Sequence, residues 1–217
     1  MRIFKKIHQK LNWSRKQYIG LALGLLAVTY LCSAIYHTYK PIPEGLNFTG
    51  KLRHANVQFL ADQTYIDANG KQQQDQKIFK EILKLIDDAQ TTIVIDMFLF
   101  NKEVGASKVQ QQDLTQQLTD ALINKKIFHP NIEIKFITDP INSVYGGILP
   151  NNYRQLRQGG IDVIETDLTP LRASNPVWSG LWYICCQGLG NTTESGWLPN
   201  PFGDEKITLR SYLSLFN

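Results

Sequence analysis

The sequence has little cysteine, only three residues among 217. Cys32 lies within an apolar stretch, whereas Cys185 and Cys186 are adjacent, a spacing at which a disulfide rarely reaches its preferred Cα separation and dihedral angle. The sequence contains no Cys-x-x-Cys pair and no cluster of cysteine with histidine, so a structural zinc site is not expected. The sequence therefore predicts neither a disulfide framework nor a metal centre.

Acidic residues are absent from the first 40 positions, which hold seven basic side chains: Arg2, Lys5, Lys6, Lys10, Arg15, Lys16 and Lys40. The remainder of the chain has 16 basic residues against 19 acidic ones. A protein that binds nucleic acid without reading its sequence needs a basic face to neutralise the phosphates. The slightly acidic body therefore argues against nucleic acid as a partner, although it leaves room for a local basic groove.

Formal charge is also absent from residues 18–36. As a helix, this stretch extends roughly 28 Å, about the thickness of the hydrocarbon core of a bilayer. Most of the basic residues precede it, which places the N-terminus in the cytoplasm and the chain after about residue 40 across the membrane. A cleaved signal peptide, with Cys32-Ser33-Ala34 as the cleavage site, is the alternative. An uncleaved anchor is favoured because the run exceeds the ~7–15 residues of a signal peptide's apolar region.

These patterns divide the chain into four regions: a basic cytoplasmic tail at 1–17, a transmembrane anchor at 18–36, a linker at 37–50 and a partial domain at 51–217. The linker contains Pro41-Ile42-Pro43, which cannot continue a helix. Early in the domain, residues 57–60 and 64–66 are β-prone, and Asp67-Ala68-Asn69-Gly70 predicts a turn.

Helical and strand patterns alternate between residues 75 and 165. The spacing of apolar residues predicts helices at 75–89, 112–124 and 151–158. Nearly continuous apolar runs predict strands at 91–100, 132–138 and 161–165, of the kind buried on both faces of a sheet. This order predicts an α/β fold with a mostly parallel sheet flanked by helices and joined by right-handed crossovers. Ligands of such sheets usually bind beyond the C-terminal ends of the strands.

The last forty residues are less regular. Residues 175–202 contain three tryptophans and three prolines, which favours an ordered aromatic loop. Residues 207–216 begin a new apolar element on which the sequence ends. Because domain boundaries are more often polar, we expect the fold to continue beyond Asn217.

Three segments, in order, carry a resemblance to a known family: IFKEILKLIDDAQTTIVIDMFLFN, IEIKFITDPINSVYGG and LRQGGIDVIETD. Together they resemble the N-terminal half of the phospholipase D superfamily, including bacterial cardiolipin-synthase-like members. Residues 170–202 are similar to a branch of exported bacterial members, so the likeness covers about residues 50–217. It implies a phospholipase D-like fold in a single-pass protein of the bacterial inner membrane, with its body on the periplasmic side.

The catalytic element of that family is His-x-Lys-x4-Asp, present twice. The resemblance implies that one histidine attacks phosphorus, the other protonates the leaving alcohol, and the lysines stabilise phosphoryl charge, without a metal or an organic cofactor. This sequence contains no copy of the motif. His8-Gln9-Lys10 is the nearest match, but Arg15 stands where the motif requires Asp. No catalytic residue is therefore assigned in this chain, and the chain alone is expected to be inactive.

Two acidic residues remain as candidates for roles in the fold or the site. Asp96 interrupts an apolar strand, so we expect it to be buried with a partner. The resemblance places an acidic residue here near the catalytic pocket, whereas a carboxylate that caps backbone N–H groups is the competing interpretation. Asp139, which ends a strand before Pro140, is expected to form a turn.

The sequence thus predicts an exported enzyme that acts on phosphodiesters, by hydrolysis or by phosphatidyl transfer. A membrane phospholipid is the favoured substrate, because the anchor holds the domain against a bilayer. The first alternative is a non-catalytic, membrane-tethered binding module or a degraded gene product, which the missing motif supports directly. The second is a nuclease of the same family, which the acidic body disfavours.

Overall fold

The structure is a computed structural model, and it describes residues 13–46, 48–101, 113–194 and 196–216. Most of the predicted tail at 1–17, including His8, lies outside these ranges, as do Gln112 and Asn217. The α-helices are α1 (Arg15–Tyr39), α2 (Ile78–Asp88), α3 (Leu114–Phe128), α4 (Asn151–Gln158), α5 (Pro176–Cys185) and α6 (Leu209–Ser214), and a 3-10 helix lies at Pro140–Ser143. The strands are β1 (Gln63–Ile66), β2 (Gln72–Asp75), β3 (Thr92–Met97), β4 (Glu133–Thr138), β5 (Asp162–Glu165), β6 (Leu198–Pro199) and β7 (Lys206–Ile207).

Helix α1 contains the predicted apolar stretch at 18–36. It begins at a capping box, in which the backbone N–H of Ser14 donates to Oε1 of Gln17 at 2.8 Å. It ends just before Pro41, as a proline that lacks an N–H requires. The helix is long and apolar enough to cross a membrane, with a mean hydropathy of 2.0. None of its apolar window is buried, in contrast to the core helix of a soluble domain.

The three predicted strands form one parallel sheet in the order β3-β4-β5. Ile93 pairs with Ile134, and Phe136 pairs with Val163. The prediction of a parallel sheet flanked by helices is therefore confirmed. Side chains from the sheet and from α2, α3 and α4 form one buried core: Ile86, Ile93, Phe100, Leu118, Leu122, Ile132, Ile134, Phe136, Tyr153, Leu156, Ile161 and Val163.

The expectation that these strands are buried on both faces is wrong. Helices α3 and α4 connect strands that advance in one direction across the sheet, so right-handed crossovers place both helices on the same face. Helix α2 joins this layer by packing against α3. On the opposite face Val94 is 58% exposed and Ile164 is 37% exposed. Among the described residues, the sheet therefore has one covered face and one open face.

The turn predicted at Asp67–Gly70 is confirmed and closes an antiparallel hairpin of β1 and β2. Oδ1 of Asp67 accepts hydrogen bonds from the backbone N–H groups of Asn69 at 2.9 Å and Lys71 at 3.0 Å. Gly70 takes a positive φ of 78°, which glycine adopts without steric cost. The β-prone residues 57–60, in contrast, form no strand.

The region predicted as an aromatic loop is partly helical, so that prediction is wrong for α5. Asn175 caps this helix, because its side chain accepts from the backbone N–H of Trp178, and Pro176 occupies the first turn. Proline suits that position because its missing N–H would have no partner there. Cys185 and Cys186 at the end of α5 are paired as a disulfide, which corrects the expectation that adjacent cysteines stay unpaired. The apolar element at 207–216 consists of the end of β7 and helix α6.

Candidate functional site

The loops that follow β3 and β4 are joined by the side chain of Asn142, which is buried. Its amide nitrogen donates to the carbonyl of Phe98 at 2.8 Å and to Oγ1 of Thr138 at 2.9 Å. Its Oδ1 accepts from the backbone N–H of Phe100 at 2.8 Å. One side chain thus bonds to polar groups of two neighbouring strand ends, as buried polar groups require. This network fixes the C-terminal edge of the sheet.

The loop after β4 is also tied to the end of β5. Oγ of Ser143 donates to Oε2 of Glu165 at 2.5 Å and accepts from the backbone N–H of Gly146 at 3.0 Å. Val144 and Tyr145, which lie between Ser143 and Gly146, have positive φ angles of 49° and 54°. This conformation is uncommon for residues other than glycine. The turn that results brings the side chain of Tyr145 to the cavity described below.

Tyr153 of α4 lies beneath this edge and is fully buried. Its hydroxyl donates to Oγ1 of Thr138 at 3.4 Å. Burial raises the pKa of Tyr153 to about 12, because the phenolate would lose its hydration. The residue is therefore neutral and serves as a fixed hydrogen-bond donor in the support of the site.

A cavity of about 390 Å³ opens beyond the C-terminal ends of β4 and β5. The segment after β5 forms one wall with Thr166, Asp167 and Arg172, and helix α5 forms another with Ser179 and Trp182. This is the position at which parallel sheets usually bind ligands. The volume lies within the range of roughly 300–1,000 Å³ that is common for small-molecule sites.

Two arginines line the cavity. Nε of Arg172 donates to the carbonyl of Lys40 at 3.1 Å, and Nη1 of Arg210 donates to the carbonyl of Leu189 at 3.3 Å. Within the described ranges, neither guanidinium forms an ion pair with a carboxylate. Each guanidinium carries five N–H donors. The cavity therefore offers two cations with spare donors, the arrangement that binds phosphate and carboxylate groups.

Arg210 is held at the cavity by the docking of α6. The hydroxyl groups of Thr208 and Ser211 donate to Oδ1 of Asn191 at 2.6 Å and 2.8 Å. Asn191 in turn donates through Nδ2 to the carbonyl of Tyr145 at 2.8 Å. Ser211 also approaches the backbone at Gly147 so closely that a Cβ there would clash. These contacts anchor α6, and with it Arg210, to the loop after β4.

The cavity also contains one carboxylate, that of Asp167. Its Oδ1 accepts from the hydroxyl of Thr169 at 2.7 Å and from the backbone N–H of Thr169 at 2.9 Å. These hydrogen bonds hold the pKa of Asp167 below its usual value, with a smaller contribution from the nearby charge of Lys40. The side chain is thus a satisfied carboxylate, and the charge of the cavity is cationic on balance.

Lys40 connects this cavity to the end of α1. It is buried, its Nζ donates to the carbonyl of Thr169 at 2.5 Å, and it lies 5.5 Å from the centre of the Tyr183 ring. Burial lowers the pKa of Lys40, and the charge of Asp167 partly opposes that shift. A second, open hollow lined by Lys40 and Tyr36 shares Thr169 and Tyr183 with the cavity. The candidate site therefore adjoins the point at which the apolar helix ends.

Asp96 does not belong to this cavity. It lies on the open face of β3 and is exposed, and its carboxylate makes no hydrogen bond or ion pair with any other described residue. The expectation that it is buried with a partner is wrong, because nothing in the described part of the chain covers that face. Its role beside a histidine of the family motif stays a prediction.

Asp139 forms the expected turn, since its Oδ1 accepts from the backbone N–H of Ile141 at 2.8 Å.

Sequence reasoning did not single out Arg172 or Arg210. Arg172 lies seven positions after β5, the side on which parallel sheets bind ligands, and this was the available signal. Arg210 lies within the apolar element at 207–216 and carried no signal of its own. Among the described residues, no group of three or more histidine, cysteine, aspartate or glutamate side chains could hold a metal ion.

Compared with protein-family models, curated proteins and solved structures, the chain matches none of them.

Proposed function

We propose that the protein is a membrane-anchored, phospholipase D-like domain that binds the phosphodiester headgroup of a phospholipid in the cavity lined by Arg172 and Arg210. One observation supports the proposal above all others. Two arginines that have no acidic partner among the described residues line a cavity at the C-terminal edge of a parallel sheet, beside the end of a helix that could span a membrane. The ligand class follows from the guanidinium groups, and the lipid source follows from the helix.

Helix α1 acts in this proposal as an uncleaved, single-pass anchor of the bacterial inner membrane. The basic residues before it favour a cytoplasmic N-terminus and a periplasmic body. Lys40, which marks the end of α1, bonds to Thr169 on the rim of the cavity. A phosphodiester at the bilayer surface would thus lie close to Arg172 without leaving the membrane.

The proposed chemistry divides between binding and bond cleavage. Arg172 and Arg210 hold the phosphoryl oxygens, and the loops fixed by Asn142 hold the shape of the cavity. Cleavage by the family's route, whether hydrolysis or phosphatidyl transfer, requires the two histidines of His-x-Lys-x4-Asp, which these 217 residues do not contain. A second candidate is a membrane-tethered module that binds the headgroup without cleaving it, since Arg172 and Arg210 supply binding groups.

Binding is tested with the full chain in neutral detergent, with short-chain phosphatidylglycerol as the probe and the matching diacylglycerol as the uncharged control. A charge-assisted hydrogen bond contributes about 1.5–3 kcal/mol. Because Arg172 is partly solvated, we take the lower end, and Arg172→Ala and Arg210→Ala should each weaken binding about tenfold. Arg154→Ala, at an exposed arginine outside the cavity, should leave binding unchanged. Equal binding by all four chains would refute the proposal.

The coding sequence downstream of Asn217 separates the two candidates. Two copies of the motif in frame would support the phosphodiesterase, and replacing either motif histidine should then abolish release of the headgroup. A stop codon within intact sequence would support the binding module.

A further inference from the structure

Helix α5 packs along the second half of α1. The hydroxyl of Tyr30 donates to the carbonyl of Val177 at 3.1 Å, and Ala34 contacts Gly180, where a Cβ would lie 2.8 Å from the Cβ of Ala34. One helical turn further on, the rings of His37 and Tyr183 stack at 3.4 Å. The contacts advance in the same direction on both helices, so α5 lies parallel to α1.

The length of α1 fixes the depth of these contacts if α1 spans a bilayer. Residues 17–39 carry no Asp, Glu, Lys or Arg. As a helix, this segment is about 34 Å long at 1.5 Å per residue. If the segment from Tyr30 onward lay outside the membrane, the 13 remaining residues 17–29 would extend only about 20 Å, too short for a hydrocarbon core of about 30 Å. Tyr30 therefore lies within the core, about 9 Å before the end of the span at Tyr36. Val177, which is bonded to Tyr30, lies at the same depth.

The sequence of α5 and its flanks fits this depth. Residues 173–193 contain no Asp, Glu, Lys or Arg. The charge-free segment begins directly after Arg172, whose guanidinium bonds to the carbonyl of Lys40 at the end of α1. Arg172 and Lys40 thus lie at the same depth relative to the membrane surface. The chain between Arg172 and Glu194 can enter the apolar layer because it has no charged side chain. The N-terminus of α5 is capped by Asn175, as backbone N–H groups require where water is absent.

Helix α5 also has an apolar stripe that the described residues leave partly exposed. Val177, Leu181 and Ile184 follow one another at spacings of four and three, so they share one face of the helix. They are 71%, 43% and 40% exposed. Ser179 and Trp182, on another face, are buried and line the cavity. The helix therefore separates the cavity on one side from an exposed apolar surface on the other.

We propose that α5 is a second membrane-embedded element, whose stripe of Val177, Leu181 and Ile184 lies among the acyl chains of the leaflet in which α1 leaves the bilayer. The packing of α5 directly against α1 selects lipid over a second copy of the chain as the occupant. Embedding α5 would place the mouth of the arginine cavity at headgroup level. This inference depends on the proposed role of α1 as an anchor.

The test uses the full chain in phosphatidylcholine and phosphatidylglycerol vesicles that contain a doxyl-labelled phosphatidylcholine, a quencher confined to the acyl region. In a background of Cys32→Ala, Cys185→Ala and Cys186→Ala, single cysteines carry the fluorophore NBD. Val177→Cys and Leu181→Cys test the stripe. Leu25→Cys in α1 is the positive control, and Leu85→Cys on the exposed surface of α2 is the negative control.

We expect the doxyl lipid to quench most of the emission at 177 and 181, as at 25, and little at 85. Quenching at 25 alone would overturn the inference about α5 and leave the anchor intact. A lack of quenching at 25 would overturn the anchor and the inference together. A blue-shifted emission at 177 and 181 without quenching by lipid would show that a second copy covers the stripe, which also contradicts the inference.

Discussion

Removing the side chain of Asn142 should loosen the C-terminal edge of the sheet on which the site depends. In Asn142→Ala, the buried N–H of Phe100 and the carbonyl of Phe98 lose the partners that they have at 2.8 Å. The hydroxyl of Thr138 also loses a donor. Leaving a buried polar group unsatisfied costs about 1–3 kcal/mol. Water that enters the space left by the amide will offset part of the combined cost, so we expect about 1–3 kcal/mol for local opening of this edge.

Hydrogen–deuterium exchange at the Phe100 amide measures that opening directly. A cost of about 1–3 kcal/mol corresponds to exchange about 5- to 150-fold faster than in the parent chain. Asn151→Ala, at an exposed asparagine in the first turn of α4, is the control and should leave the rate unchanged. Exchange at the parent rate in Asn142→Ala would show that Asn142 does not hold the strand ends together.

Three further predictions concern the core, the buried phenol and the contact between α1 and α5. Leu122→Ala should lower the free energy of unfolding by about 2–5 kcal/mol because the side chain is fully buried. Ile127→Ala, at an exposed position of the same helix, should change it by less than about 0.5 kcal/mol. Equal losses in urea unfolding would contradict the assignment of Leu122 to the core. The pKa of Tyr153 rises to about 12 on folding from about 10 in the unfolded chain. The stability that the neutral phenol contributes is therefore complete below pH 10 and is lost as the pH rises towards 12. Over that range the unfolding midpoint of Tyr153→Phe should fall less steeply than that of the parent chain. Gly180→Leu should separate α5 from α1 and abolish a cross-link between positions 30 and 177. Gly188→Leu, where the added Cβ meets no atom within 4 Å, should leave that cross-link intact.

The parallel sheet could be predicted because each strand is a short apolar run between two helical patterns, and that order leaves few topologies. The open face could not. A run such as Thr-Ile-Val-Ile-Asp-Met reads as buried on both sides, yet Val94 and Asp96 point away from the helices because both crossovers lie on one face. The tertiary arrangement determines the burial of these residues, and the local sequence does not indicate that arrangement.

The cavity was predictable in position but not in composition. Strand order predicted that ligands bind beyond the C-terminal ends of the parallel strands, and the structure has a cavity at the ends of β4 and β5. Arg172 and Arg210 lie 38 positions apart in segments with no common pattern. The docking of α6, to which the bonds of Asn191 contribute, brings Arg210 to the cavity. Helix α5 was missed because its tryptophans and prolines suggested a loop, although Asn175-Pro176 is a good start for a helix.

Photo-cross-linking of a lipid headgroup identifies the residues that contact the phosphate. Phosphatidylglycerol that carries a photoactivatable group next to its phosphate would be incorporated into vesicles with the full chain, irradiated, and the labelled peptides identified by mass spectrometry. If the cavity binds the headgroup, labels should fall in residues 166–174 and 208–214. Unlabelled phosphatidylglycerol should compete with them, and they should be lost in the Arg172→Ala, Arg210→Ala double variant. Labels that fall on the open face of β3 and β5, or that persist unchanged in the double variant, would contradict binding of the headgroup in the cavity.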